Sequence, residues 1–152
     1  MQKKILIADD EQILVEILKA RLERNYTVIT ANNGEEALKQ ISLEKPDLLI
    51  LDLLMPKKTG YNVLSEIVTE GIYVEKVPKV IILSARGKEI DGGLGQRLGA
   101  DAYFVKPFQL SELEAKIAAS ELGQALNAAK ELLAIVKEKT LAADQEVRSC
   151  AV

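Results

Sequence analysis

Five short apolar runs, each followed by a stretch with helical spacing, restrict the fold of this chain more than any other feature. The runs cover residues 4–8 (KILIA), 26–31 (YTVITA), 47–53 (DLLILDL), 77–85 (VPKVIILSA) and 102–105 (AYFV). The third is apolar on both faces, as a strand covered above and below must be. Between them, residues 11–24 carry Ile13, Leu14, Ile17, Leu18 and Leu22 at helical spacing. Residues 35–43 repeat the pattern with Ala37, Leu38 and Ile41, and residues 61–70 with Val63, Leu64, Ile67 and Val68. Asn32, Asn33 and Gly34 signal a turn, and Pro46 and Pro56 break the chain on either side of the third run. A fourth helix is expected at residues 89–98. Gly92, Gly93 and Gly95 each cost it roughly 1 kcal/mol against alanine, so it should be short or mobile. Ser111, with Glu114 three residues on, has the capping-box spacing that would open a last helix. Five βα units in succession predict an α/β fold, a five-stranded doubly wound parallel sheet with helices on both faces.

Such sheets bind ligands beyond the carboxyl ends of their strands, near the point where strand order reverses. The residues there are Asp9 and Asp10, Asp52, Ser84 and Ala85, and Lys106. Carboxylates gathered at one sheet end repel one another, so a positive partner is required. Lys106 is one candidate and a divalent cation another. The chain has no histidine and a single cysteine, Cys150 near its end. An all-oxygen site of this kind favours Mg2+ over zinc or copper. Mg2+ takes one or two carboxylates and completes its shell with other oxygens, which suits phosphoryl chemistry. Asp52, ending the central strand, is the best-placed nucleophile and could hold a phosphoryl group as an acyl phosphate. Asp10, with Asp9 behind it or through water, would hold the metal. Lys106 and Ser84 would each engage a phosphate oxygen.

With those residues in place the sequence resembles the response-regulator receiver family of two-component signalling, over about residues 3–121. The resemblance lies in Asp9-Asp10, in Asp52-Leu-Leu-Met-Pro56, in Ser84-Ala85-Arg86 and in Lys106-Pro107-Phe108, each after the appropriate strand. It implies a flavodoxin-like fold of strand order 2-1-3-4-5. It also implies Mg2+ ligation by Asp10, Asp52 and the backbone carbonyl of Leu54, with Asp9 acting through water. Ser84 would be the switch hydroxyl, Tyr103 the switch aromatic, and the Lys106–Pro107 bond cis. The implied partners are a histidine kinase or phosphotransfer protein as donor, and a downstream protein reading the face formed by the fourth helix, fifth strand and fifth helix (α4-β5-α5). The chain would be a phosphoacceptor regulator, not an enzyme with its own substrate, although it would assist its own phosphorylation and dephosphorylation. Residues 71–76 and the glycine-rich fourth helix depart from the family's commonest form.

Each residue also has a plainer reading. Asp9 and Asp10 could serve the N-terminus of the helix that follows, Ser84 could be an ordinary strand end, and Tyr103 a half-buried aromatic that never switches. Two other functions compete as well. An unphosphorylated binding module would keep the fold alone. A phosphatase with an aspartyl nucleophile, resembling the haloacid-dehalogenase family, needs an acid two residues after the nucleophile, where this chain has Leu54.

Composition narrows the setting. The 152 residues are 48% hydrophobic, with 20 basic and 23 acidic side chains and a net charge of −3. No broad basic surface is available for nucleic acid or an anionic membrane. No apolar stretch approaches the ~20 residues that span a bilayer, and the first apolar run stops at Asp9-Asp10-Glu11, unlike a signal peptide. A reducing, cytoplasmic location is expected. Residues 1–121 would be the receiver domain and residues 122–152 a helical extension. In the extension Leu122, Leu126, Ala129, Leu133, Val136, Thr140, Ala143 and Val147 alternate at spacings of four and three, a heptad pattern strong to Val136 and weak after it. It could pair two chains as a homodimer, fold back with Gly123 as a hinge, or link to a further domain. It is too short and too evenly charged to be a DNA-binding module.

Overall fold

A computed structural model describes residues 2–70, 77–85, 97 and 99–150. The elements are β1 (Lys4–Ala8), α1 (Gln12–Leu22), β2 (Thr27–Ala31), α2 (Gly34–Glu44), β3 (Leu48–Asp52), α3 (Gly60–Ser65) running into a π-helical turn (Glu66–Glu70), β4 (Lys79–Ser84), β5 (Ala102–Val105) and a C-terminal helix (Leu110–Cys150). All strand pairs are parallel and the sheet order is β2-β1-β3-β4-β5. The flavodoxin-like order 2-1-3-4-5 is therefore present. The glycine-rich stretch expected as a fourth helix and residues 71–76 lie outside the described residues, apart from Arg97.

Strand alternation sorts the sheet's side chains onto two faces. Leu6, Ala8, Leu49, Leu51, Val80 and Ile82 join Ala37, Leu38 and Ile41 of α2 and Val63, Leu64 and Ile67 of the α3 segment in one buried cluster. The intervening residues Ile5, Ile7, Ile50, Ile81 and Leu83 are equally buried, and α1 packs on β1 and β2. Each fully buried aliphatic side chain contributes about 1.5–3 kcal/mol, so the two cores pin the register that aligns the strand ends.

Local signals set the helix ends. The Asn33 side chain accepts from the Glu36 amide at 2.9 Å and caps α2. Thr59 and Asn62 form a reciprocal capping box at α3. The C-terminal helix begins at Leu110, one residue before Ser111. In α1 the buried residues are Val15, Leu18 and Leu22, while Ile13 is 75% and Ile17 46% exposed. That departs from the expected stripe, because the run IleLeuValGluIleLeu supports two helical phases and tertiary packing selects one.

The fold divides into two compact units, Met1–Leu110 and Ser111–Val152. The helix Leu110–Cys150 continues through Gly123. Every side chain from Ala128 to Cys150 is exposed. Among the described residues no helix is long and apolar enough to cross a membrane.

Candidate functional site

The parallel register brings the strand ends to one rim. Ala8 pairs with Leu51, Asp52 with Leu83, and Ser84 with Val105. Asp9 continues from β1 and its amide still donates to the Ala31 carbonyl at 3.1 Å. Beyond β5, the Lys106 amide donates to the Ser84 carbonyl at 2.7 Å. Asp9, Asp52 and Ser84 are buried, while Asp10 is exposed at the lip.

Carboxylate oxygens of Asp9, Asp10 and Asp52 lie within 4.8 Å of one another. The Lys106 ammonium sits among them, 2.7 Å from Asp9 Oδ2 and 3.5 Å from Asp52 Oδ2. It also lies 3.4 Å from Glu11 Oε2, so three carboxylates, those of Asp9, Asp52 and Glu11, face one ammonium. Sequence reasoning missed Glu11; its only trace there was its place at the end of the Asp9-Asp10-Glu11 run. The direct pairing of Lys106 with Asp9, closer than with Asp52, was equally invisible across 97 residues of sequence.

The unequal burial divides the roles electrostatically. Burial first, then the charge of Asp9, pushes Asp52 up to about 6; the Leu54 amide and Lys106 pull the other way, and Asp10 adds to the rise. For Lys106, burial favours the neutral amine. The hydrogen bond to Asp9 and the charges of Asp52, Asp9 and Glu11 outweigh it and hold the ammonium above its ordinary value. Asp52 is thus a carboxylate that a further positive charge would keep ionised. The donors are all oxygens, which fits a hard divalent cation and suits zinc or copper poorly.

Backbone contacts fix the Asp52 loop. The Leu54 amide donates to Asp52 Oδ1 at 3.2 Å, and the Gly60 amide to the Leu53 carbonyl at 3.0 Å. A Cβ on Gly60 would overlap the Asp52 carbonyl and Leu53, so only glycine allows α3 to start this close. Gly34 is similarly pressed on the Lys58 backbone, and Lys57 between them holds a left-handed φ of 64°. The Leu54 side chain is 43% exposed and no acid stands at that position.

Ser84 and Tyr103 share a sheet face. Ser84 lies two residues beyond Ile82, and Ile82 is the register partner of Tyr103. Tyr103 is half-buried against the cluster that contains Ile82. The Lys106–Pro107 peptide is cis. Next to Lys106, an open groove of about 500 Å3 is lined by Glu11, Leu14, Ile17, Ala85, Pro107 and Phe108 among others.

Fold and rim together define a signalling class. Residues 5–118 match the response regulator receiver domain family, and the chain belongs to it. Its relatives include the alkaline phosphatase synthesis transcriptional regulatory protein PhoP of Bacillus subtilis, 43% identical over 120 residues, which are 78% of this chain and 48% of that protein. The probable transcriptional regulator ycf27 of Porphyridium aerugineum is 48% identical over 119 residues, 77% of this chain and 48% of that protein. The chain spans about half the length of the curated relatives it matches. Among solved structures, the response regulator protein TrrA of Thermotoga maritima, in complex with Mg(2+)-BeF, aligns with a TM-score of 0.66 at 40% identity, over 77% of this chain and 97% of that one. The receiver domain of the Francisella response regulator 1452 aligns at 0.69 and 30% identity, over 77% of this chain and 94% of that one.

Proposed function

We propose that this receiver is switched by a phosphoryl group accepted on Asp52 from a phosphohistidine of a kinase or phosphotransfer protein. One observation carries the reading: Asp52 is buried at the end of the central strand, beside the carboxylates of Asp9 and Asp10 and 3.5 Å from the ammonium of Lys106. In the transfer, an Asp52 carboxylate oxygen forms the new bond to phosphorus. The bond from phosphorus to the donor's imidazole nitrogen breaks, and its electron pair stays on that nitrogen. Lys106 neutralises a phosphoryl oxygen, leaving its Asp9 partner free to serve the metal side of the site. The Leu54 amide orients the attacking carboxylate.

Asp10, Asp52 and the Leu54 carbonyl would hold Mg2+, with Asp9 acting through water. Bound there, the cation supplies charge neutralisation between the carboxylates and the phosphoryl oxygens. Ser84 then moves toward the phosphoryl group and Tyr103 turns into the space it leaves. The face around β5 thereby changes shape for a downstream protein. Support for the switch is their common sheet face beside the rim. The exposed Ile17, which lines the groove at Lys106, and the exposed Ile13 one helical turn before it offer the donor protein an apolar landing surface. With no chemistry beyond its own phosphorylation and hydrolysis, the chain is a regulator located in the cytoplasm.

The test is intact-mass spectrometry after incubation with a small phosphodonor such as acetyl phosphate. One phosphoryl group should add in Mg2+ and none in EDTA. Turnover of a phosphomonoester without a stable adduct would instead favour a hydrolase.

A further inference from the structure

We propose that the C-terminal helix pairs with the same helix of a second copy as a parallel, in-register two-stranded coiled coil. This goes beyond the phosphorylation reading and does not depend on it. The exposed part of the helix, from Ala128 to Cys150, buries none of its side chains. Ala129, Leu133, Val136, Thr140, Ala143, Val147 and Cys150 fall on one stripe at alternating spacings of four and three. A repeat of 3.5 residues faces a partner along its whole length only when both helices supercoil. On that stripe Leu133, Val136 and Val147 are each more than half exposed, and Leu132 widens it on one side. Glu131, Glu138 and Gln145 occupy the opposite face. Ile135 and Leu141 fall outside the stripe.

Three details choose the partner and its direction. Thr140 is the one hydroxyl on the stripe, and it donates to the Val136 carbonyl of its own helix at 2.9 Å, so it can be covered without losing a partner. The flanking charges suit a parallel pair: Lys139 of one helix faces Asp144 of the other, twice by symmetry. An antiparallel pair that layers Val136 on Thr140 centres on Glu138 and instead brings Lys137 near Lys137 and Lys139 near Lys139, with Lys130 near Asp144. Finally, Cys150 continues the stripe, so a parallel in-register pair sets the two thiols side by side and an antiparallel one holds them at opposite ends.

Sedimentation equilibrium of the whole chain should give twice the 16.7 kDa chain mass, with the dimer fraction rising with concentration. L133K combined with V136K should return it to monomer with the receiver's urea-unfolding transition retained. K139E should weaken pairing about two- to fivefold, and adding D144K should restore it. Diamide, by taking up the two protons and two electrons of a pair of thiols, should join the dimer through Cys150, and C150S should not be joined. A monomer up to about 0.5 mM, a higher oligomer, or a dimer that diamide fails to join would each overturn the proposal.

Discussion

At the scale of single residues, the site is governed by an imbalance of charge. Asp52 is held at about 6 because burial and Asp9 disfavour its ionised form more than Lys106 and the Leu54 amide favour it. In metal-free buffer the folded protein therefore binds a proton at Asp52 more tightly than the unfolded chain does. This contribution to stability is fully present below the ordinary carboxylate value near 4, and is lost as pH rises toward 6. Asp52→Asn should remove that loss. In EDTA at pH 7 the variant should be more stable than the parent by about 1–3 kcal/mol, and at pH 4 the gap should close. Urea unfolding at the two pH values checks this; an equal gap at both would contradict it. Lys106→Met has the opposite sign. It leaves Asp9 and Asp52 without their ammonium and should cost about 1–3 kcal/mol at pH 7 without metal, with Mg2+ recovering part of the loss.

At the scale of elements, the strand ends and the Asp52 loop act as rigid mounts. Gly60→Ala forces a Cβ against the Asp52 carbonyl and should destabilise by about 2–4 kcal/mol in urea unfolding. Mg2+ should bind more weakly as well, since the Leu54 carbonyl proposed as a ligand belongs to that loop. Helix α1 is the proposed docking surface for the donor. Ile17→Asp changes an exposed side chain and should leave stability within about 0.5 kcal/mol. It should slow phosphoryl transfer from a kinase while labelling by acetyl phosphate stays unchanged; a parallel loss in both assays would move Ile17 from docking to chemistry. The sheet was readable in the sequence because its five runs are short, apolar and separated by strong turn signals. The rim residues followed from where those runs stop. The phase of α1 was not readable, since residues 13–18 offer overlapping stripes. Nor was the Thr59–Asn62 box, whose asparagine stands where glutamate or glutamine is the usual cue. The Lys106–Glu11 approach depends on the parallel crossovers that carry β5 back beside the rim, and no local spacing encodes it.

At the scale of the whole molecule, a receiver and a long exposed helix share one chain. The receiver supplies a core buried on both sheet faces and a site whose parts come from successive strand ends. The helix supplies an exposed apolar stripe. The two tasks are separable: L133K combined with V136K should leave phosphorylation at Asp52 intact, which the same mass measurement reads. The matched segment is 48% of each of the two curated relatives named above, so about half of each of those proteins lies outside it. The claim on which the account rests is that Asp52, and no other carboxylate, carries the phosphoryl group. Its most direct test is to treat the parent and the Asp52→Asn and Asp9→Asn variants with acetyl phosphate and Mg2+ and read each by intact mass. The account predicts a single adduct on the parent, none on Asp52→Asn, and a slower but detectable adduct on Asp9→Asn. An undiminished adduct on Asp52→Asn would contradict it.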